Sequence, residues 1–472
     1  MIRIARRPFL MMGAALATGA LPRSEVAAEA IPALRATTRT LDIHGRPARV
    51  LGLLREDGGQ GLVIQPGARF RARLHNQLGE PTIIHWHGQI PPVAQDGVPD
   101  APLPMLQPGD SRGFDFAATP GTHWMHAHVP DQEMRLLAAP LIVRTAEDAR
   151  ADRQEFVMML HDYSFTPLPE ILARLHTAPG HAPGAMPPPN PHAGGGPHGG
   201  AAAMDLNDID FDAYLANDRT LDDPQLVRIE RGGRVLLRII NGAGATVFRI
   251  DTGALEASLV AVDGQPVTPV VVRNFALAMG QRADLLVQVP AEGGAFPVLA
   301  LREGARERTG IVLATARAPV RRLEVLGDRA AAAWDPAQEG RLRAATPLPA
   351  RRVNRRIEVA LTGSMQPYLW SLDDRPWGRH RVLAARPGER VEFAMTNRTM
   401  MGHPMHLHGH HFQVVEADGR RFSGPVRDTV QVPPMARVAV AFDAGEAARW
   451  MFHCHHMPHL ATGMMTELVV SS

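Results

Sequence analysis

Apolar and polar residues alternate in short runs along this chain, and one such run recurs three times. Arg69–Leu74, Arg234–Ile239 and Arg390–Met395 each send successive side chains to opposite faces, the two-residue period of a β-strand. The flanking offsets recur as well. Residues 66–88 carry Pro66-Gly67, then Asn76, then His85-Trp86-His87-Gly88, and residues 387–409 carry Pro387-Gly388, Asn397 and His406-Leu407-His408-Gly409. Between them, Arg231-Gly232, Asn241 and Ile250-Asp251-Thr252-Gly253 keep the spacing, with Ile250 and Thr252 in place of the histidines. Three copies of a strand–turn–strand unit predict three homologous domains. The outer two are expected to bind metal through this element and the middle one is not.

Several such strands within each ~120–150 residues, separated by turn residues, predict an all-β chain of Greek-key β-sandwiches. The expected domains are 31–147, 153–316 and 353–472, with the Ala/Arg/Pro-rich span 317–352 as connector. Hydrophobic content of 45% and charged content of 21% are ordinary for a soluble protein. A formal charge of +2 over 472 residues gives no reason to expect a nucleic-acid partner. The N-terminus reads Arg6-Arg7-Pro8-Phe9-Leu10, is apolar to Ala20, and ends on Ala28-Glu29-Ala30. That run is shorter than the ~20 residues of a spanning helix. Residues 1–30 therefore read as a cleaved signal peptide, leaving no membrane anchor in a mature periplasmic protein. The arginine pair resembles a twin-arginine signal, with a chance pair in a general export signal as the other reading.

The chemistry lies in the 22 His, the 21 Met and the single Cys. One cysteine excludes an intramolecular disulfide framework. It sits in His453-Cys454-His455, where strand parity turns the two imidazoles one way and the sulfur the other. His459 and Met464 follow, so thiolate, imidazole and thioether give the soft set of a blue-copper centre, which needs one more His. His403 supplies it: three residues before His406, it faces the side on which Cys454 projects. His85/His87, His126/His128, His406/His408 and His453/His455 are four pairs that each share a face. A lone pair of this kind is explained by zinc or by solvent. Four pairs, two in each outer domain, predict eight imidazoles at one interface, enough for three copper ions.

H-W-H-G at 85–88, H-A-H at 126–128, H-P-M-H-L-H-G at 403–409 and H-C-H-x3-H-x4-M at 453–464 resemble, in order and spacing, the four copper motifs of the multicopper oxidases. The resemblance, to the three-domain bacterial laccase or cuprous oxidase type, implies three cupredoxin-like domains and four copper ions. His403, Cys454, His459 and Met464 would hold the type 1 copper, and His85 and His406 the type 2 copper. His87, His126, His128, His408, His453 and His455 would hold the two type 3 coppers. It implies single electrons entering at type 1 from a reductant and dioxygen reduced to water at the cluster. Asp96 resembles the family's acidic residue near type 2, although an Asp-Gly pair is equally a turn. Leu460 stands where some bacterial members carry a glutamate, which leaves a second proton route open.

The reductant is read two ways. Met400, Met401 and Met405 around His403, and Met457 beside His459, favour Cu(I) if they are ligands and mean little if they pack the core. Residues 176–204 hold His176, His181, His192, His198, Met186 and Met204 among Pro and Gly, and read as a mobile loop that either collects copper or is a plain insertion. Phenols or aromatic amines are the laccase-like alternative. A periplasmic copper store would not need the His-Cys-His relay, and a non-catalytic cupredoxin scaffold would have lost ligands. A copper nitrite reductase would lack the paired histidines. His123, His410, His411 and His456 are expected beside ligands or at the surface, and His44, His75, His161 and His380 at the surface or hydrogen-bonded in the core.

Overall fold

Each recurrent run is a strand in the computed structural model: Phe70–Asn76, Arg234–Asn241 and Arg390–Asn397. The asparagine that ends each one ties the following turn in the same way. Asn76 Nδ2 donates to the carbonyls of Glu80 and Leu106 while its Oδ1 accepts from Leu78 N–H. Asn241 donates to Thr246 and Leu277 and accepts from Ala243. Asn397 donates to Met401 and Val432 and accepts from Thr399. A buried turn needs a donor and an acceptor at one point, and the side-chain amide carries both. The glycine before each strand is left-handed, with φ of 76° at Gly67, 64° at Gly232 and 77° at Gly388.

The structure describes residues 31–177 and 206–472. The expected signal and nearly all of 176–204 lie outside them. His176 and Thr177 are described, and they close the helix Leu168–Thr177 rather than opening a loop.

Among the described residues strand makes up about 49% and helix 8%. Six sheets form three pairs, each pair closed over its own core. In the first, a four-stranded sheet containing Ala33–Ile43 and Phe70–Asn76 faces a four-stranded sheet containing Ile84–His87, Gly121–Ala127 and Ala138–Val143. The middle pair has six and five strands, and the C-terminal pair seven and five. In the last of these sheets, His403–Leu407 lies between Thr429–Val432 and Arg449–Cys454. Span 317–352 packs against the middle sandwich: Leu342 enters its core, and Gln338 exchanges two hydrogen bonds with the Ala276 backbone. Pro32–Ser472 form one compact unit. No helix among the described residues is long and apolar enough to cross a membrane.

Candidate metal centre

Register decides which way each ligand candidate points. His406 pairs with His453 and Met405 with Cys454 across neighbouring antiparallel strands. Facing residues of a pair share a side of the sheet. His406 and His453 therefore lie together, with Cys454 on the reverse. In the first sandwich His85 pairs with His126 in the same manner.

On the reverse side, Cys454 Sγ lies 3.8 Å from both His403 Nδ1 and His459 Nδ1, which are 3.2 Å apart. One ion bonded to all three at about 2.0–2.3 Å would set such spacings. All three residues are fully buried, as is Met464, whose backbone bonds Cys454 N–H and His459 C=O. His459 comes from the helix Met457–Thr462 that follows the Cys454 strand. His403 donates from Nε2 to the Thr399 hydroxyl at 2.8 Å, which leaves Nδ1 free to face the sulfur. Burial pushes the Cys454 thiol up. A bare thiol is favoured there, and only a bound cation would make the thiolate stable.

The eight paired histidines are likewise all buried, and they fall into three groups. His85 Nε2 and His406 Nε2 are 3.4 Å apart. His408 Nε2 and His453 Nε2 are 3.0 Å apart, with the His128 ring centred 5.0 and 5.2 Å from theirs. His87 Nδ1 and His126 Nε2 are 3.4 Å apart, with His455 at 5.0 and 5.1 Å. Each group joins the first sandwich to the third. Desolvation holds His85, His87, His128, His406, His408 and His455 well below the usual imidazole range, so these rings are neutral and their inward lone pairs are available. His128 Nε2 and both nitrogens of His455 make no hydrogen bond, a costly state that a bound cation would relieve.

The outer nitrogens are held from the protein side. His85 and His406 donate from Nδ1 to the carbonyls of Asp96 and Asp428. His408 Nδ1 lies 2.8 Å from Asp96 Oδ2, and His126 Nδ1 lies 2.7 Å from Glu133 Oε2. The other oxygen of Glu133 is 3.7 Å from His455 Nδ1. His87 Nε2 lies 3.0 Å from Asp428 Oδ1. Such outer partners fix the tautomer and raise ligand basicity. Asp96 sits in a turn and also lies beside the paired histidines. Gly97 turns with φ of 87°, while the Asp96 carboxyl reaches the cluster and burial pushes it up to about 8.

Glu133, Asp428 and Arg282 carried no signal in the sequence. Arg282, from the middle sandwich, is fully buried; it donates two bonds to Asp428 at 2.7 and 2.5 Å and one to the Thr122 carbonyl. Gly280 must be glycine, because a Cβ there would lie 2.9 Å from the His455 ring. Of the two places expected for His123, His410 and His456, beside ligands or at the surface, the structure has the buried one. One expectation needs correcting. His161 is buried with neither ring nitrogen bonded. His44 pairs with Asp222, His75 with Ser111 and His380 with Glu467. Of the four methionines, Met401, Met405 and Met457 are buried, whereas Met400 is 45% exposed.

Beside the Cys454 cluster, between the middle and C-terminal sandwiches, lies a cavity of about 180 Å³. Its walls are mainly apolar, with Trp334 and Met401 among them, and Glu303, Gln431 and His456 are its polar lining.

Three family profiles described as multicopper oxidase match residues 37–148, 194–318 and 351–472. The multicopper oxidase MmcO of Mycobacterium tuberculosis is 31% identical over 412 residues, covering 83% of this chain and 77% of that one. A copper resistance protein A homolog of Pseudomonas syringae pv. tomato is 25% identical, covering 84% and 85%. Among solved structures, a multicopper oxidase of Pseudomonas thermotolerans aligns over 93% of this chain and 98% of its own, with TM-score 0.69 and 24% identity. The laccase of Botrytis aclada aligns over 93% and 87%, with TM-score 0.75 and 20% identity. With the buried thiolate–imidazole and imidazole clusters, these likenesses make the chain a member of the multicopper oxidase family, a copper-dependent oxidoreductase that passes electrons from a reductant to dioxygen.

Proposed function

We propose that the chain is a four-copper oxidase. His403, Cys454, His459 and Met464 hold the type 1 ion, and His85 and His406 the type 2 ion. His87, His126 and His455 hold one type 3 ion, and His128, His408 and His453 the other. The observation that supports this most is the division of one strand end. Cys454 Sγ joins His403 and His459, while His453, the residue before it, meets His408 at 3.0 Å. When bound, the coppers accept single electrons from a reductant and reduce dioxygen to water.

The remaining work falls to the chain itself. Cys454 is linked to His453 and His455 by backbone alone, so an electron entering at the sulfur has a short covalent path to both type 3 sites. Asp96, whose carboxyl burial pushes up to about 8, stands 2.8 Å from His408 Nδ1, where it can hold or pass a proton at that edge. Glu133 puts a carboxyl group between His126 and His455. The middle sandwich, which supplies none of these ligands, orients His87 through Arg282 and Asp428.

The reductant is read as a single-ring phenol. The cavity of about 180 Å³ holds one ring against Trp334, and the buried Gln431 Oε1, which has no partner, would accept a hydroxyl. Cu(I) is the second reading, favoured by the Met401 thioether on the cavity wall and by relatives named copper resistance protein A. The three sandwiches are read as domains 31–147, 153–316 and 353–472. Residues 1–30 are read as a twin-arginine-type signal that delivers the protein to the periplasm. Copper analysis and oxygen uptake test the whole. The loaded protein should be blue, carry about four coppers per chain, and consume oxygen faster with a phenol than with Cu(I). A colourless protein, or no uptake with either donor, would reject the reading.

A further inference from the structure

The histidine nearest the reductant cavity is not a ligand. His459, read as a type 1 ligand, is fully buried and is absent from the cavity lining. Its Nδ1 faces His403 and Cys454. Its outer Nε2 is covered by the Asp208 carboxylate at 3.5 Å, which also accepts the Tyr368 hydroxyl. The ring is sandwiched. Trp370 packs on it with centroids 4.0 Å apart, and His456 stacks at 3.7 Å with the planes 16° from parallel. The direct edge of His459 is therefore closed to a reductant.

His456 is placed differently. It lines the cavity, and neither ring nitrogen makes a well-directed hydrogen bond, although Nε2 lies 3.2 Å from Asp208 Oδ1. A stack at 3.7 Å is van der Waals contact, with no gap between the rings. We propose that His456 is a catalytic residue of the oxidase, the ring against which a phenol docks and through which its electron reaches His459 and then Cys454. This rests on the reading of the Cys454 cluster as the type 1 site. The phenol loses one electron through His456 and its hydroxyl proton to the Glu303 carboxylate on the cavity wall, and leaves as a phenoxyl radical. The electron is consumed by the dioxygen reduction that the family carries out.

The test uses copper-loaded protein and two substitutions, His456→Ala, which empties the stack, and His456→Phe, which refills it with a flat ring. Bleaching of the blue band by a saturating phenol without oxygen reads electron entry. The type 1 midpoint potential and the reoxidation rate read everything downstream. Binding of 4-nitrophenol, a phenol too hard to oxidise, to the metal-free protein reads docking by calorimetry. In His456→Ala, bleaching should slow at least about tenfold and 4-nitrophenol should bind more weakly. Potential, colour and reoxidation should stay as in the parent. His456→Phe should recover most of both losses. Bleaching at the parent rate in His456→Ala would overturn the proposal. So would a loss that comes with a shifted potential or faded colour, because His456 would then merely support His459. A parent protein that is not blue would instead reject the type 1 reading itself, and this proposal with it.

Discussion

The Cys454 cluster and the eight-histidine cluster are built from adjacent residues of one strand, yet the fold holds them by different means. The first is local. His403, Cys454, His459 and Met464 all belong to the C-terminal sandwich, and His403 is oriented by Thr399, which the repeated Asn397 turn fixes. The second is assembled from distant parts. Its imidazoles come from the first and third sandwiches, and three buried carboxylates, Asp96, Glu133 and Asp428, hold their outer nitrogens. The middle sandwich secures one of these carboxylates with Arg282. A thiolate site can be local because a strand, a turn and a helix supply it in sequence. A cluster at a junction needs charges from every side to stop its rings from rotating.

The largest expected effect breaks the local site alone. Cys454→Ser should abolish the blue absorption and the oxidation of every reductant, while the copper held by the eight histidines stays near its parental content. Absorption spectra with metal analysis decide it. A variant that keeps its colour would show that the sulfur belongs to neither cluster.

The converse break is Arg282→Gln. It leaves the buried Asp428 carboxylate without its bidentate partner, which typically costs about 3–5 kcal/mol. The thermal midpoint should fall, and the proposed type 3 pair should lose its magnetic coupling or its metal while the blue band persists. Arg282→Lys keeps the charge but not the planar fork, so it should recover stability more than coupling. Paramagnetic resonance of the loaded variants separates the outcomes. If colour and coupling vanish together, the two clusters are not independently held. Glu133→Gln is a milder version, since the amide keeps shape and one acceptor oxygen. About 10- to 100-fold weaker metal binding is expected on the His126 and His455 side, readable by competition with a chelator.

The same division explains what could be read from the sequence. The three repeats were legible because their demands are local: an amide to tie a turn, and a glycine for a left-handed φ, as at Gly67, Gly232 and Gly388. The facing of His403, His406, His453 and Cys454 was legible because strand parity is a two-residue rule. The parity even persists one residue beyond the strand end, where His455 still turns toward His87 and His126. Glu133, Asp208, Arg282 and Asp428 were not legible, because each arrives from an element that only the tertiary fold brings near. For His456 the sequence allowed a place beside a ligand, which the stack on His459 fills, but the cavity it lines has no local signature.

The smallest expected effect sharpens the comparison by separating electron entry from dioxygen reduction. Glu303 lines the cavity and is not among the ligand candidates, and burial pushes its carboxyl up from 4.5 to about 7. Between those values the folded chain holds a proton that the unfolded chain has lost, so its contribution to stability declines as pH rises from 4.5 to about 7. Glu303→Gln should remove that decline, which unfolding curves at several pH values would read. As the acceptor of the phenol proton, Glu303 must be ionised, so bleaching by phenol should rise with pH up to about 7 in the parent and lose this limb in the variant. The loss of rate should be less than about tenfold, because water is an alternative acceptor. Reoxidation by dioxygen, which depends on the other cluster, should show the same pH profile in both proteins. A change in that profile would mean that the cavity and the eight histidines share a titrating group, and the separation of the two regions would fail.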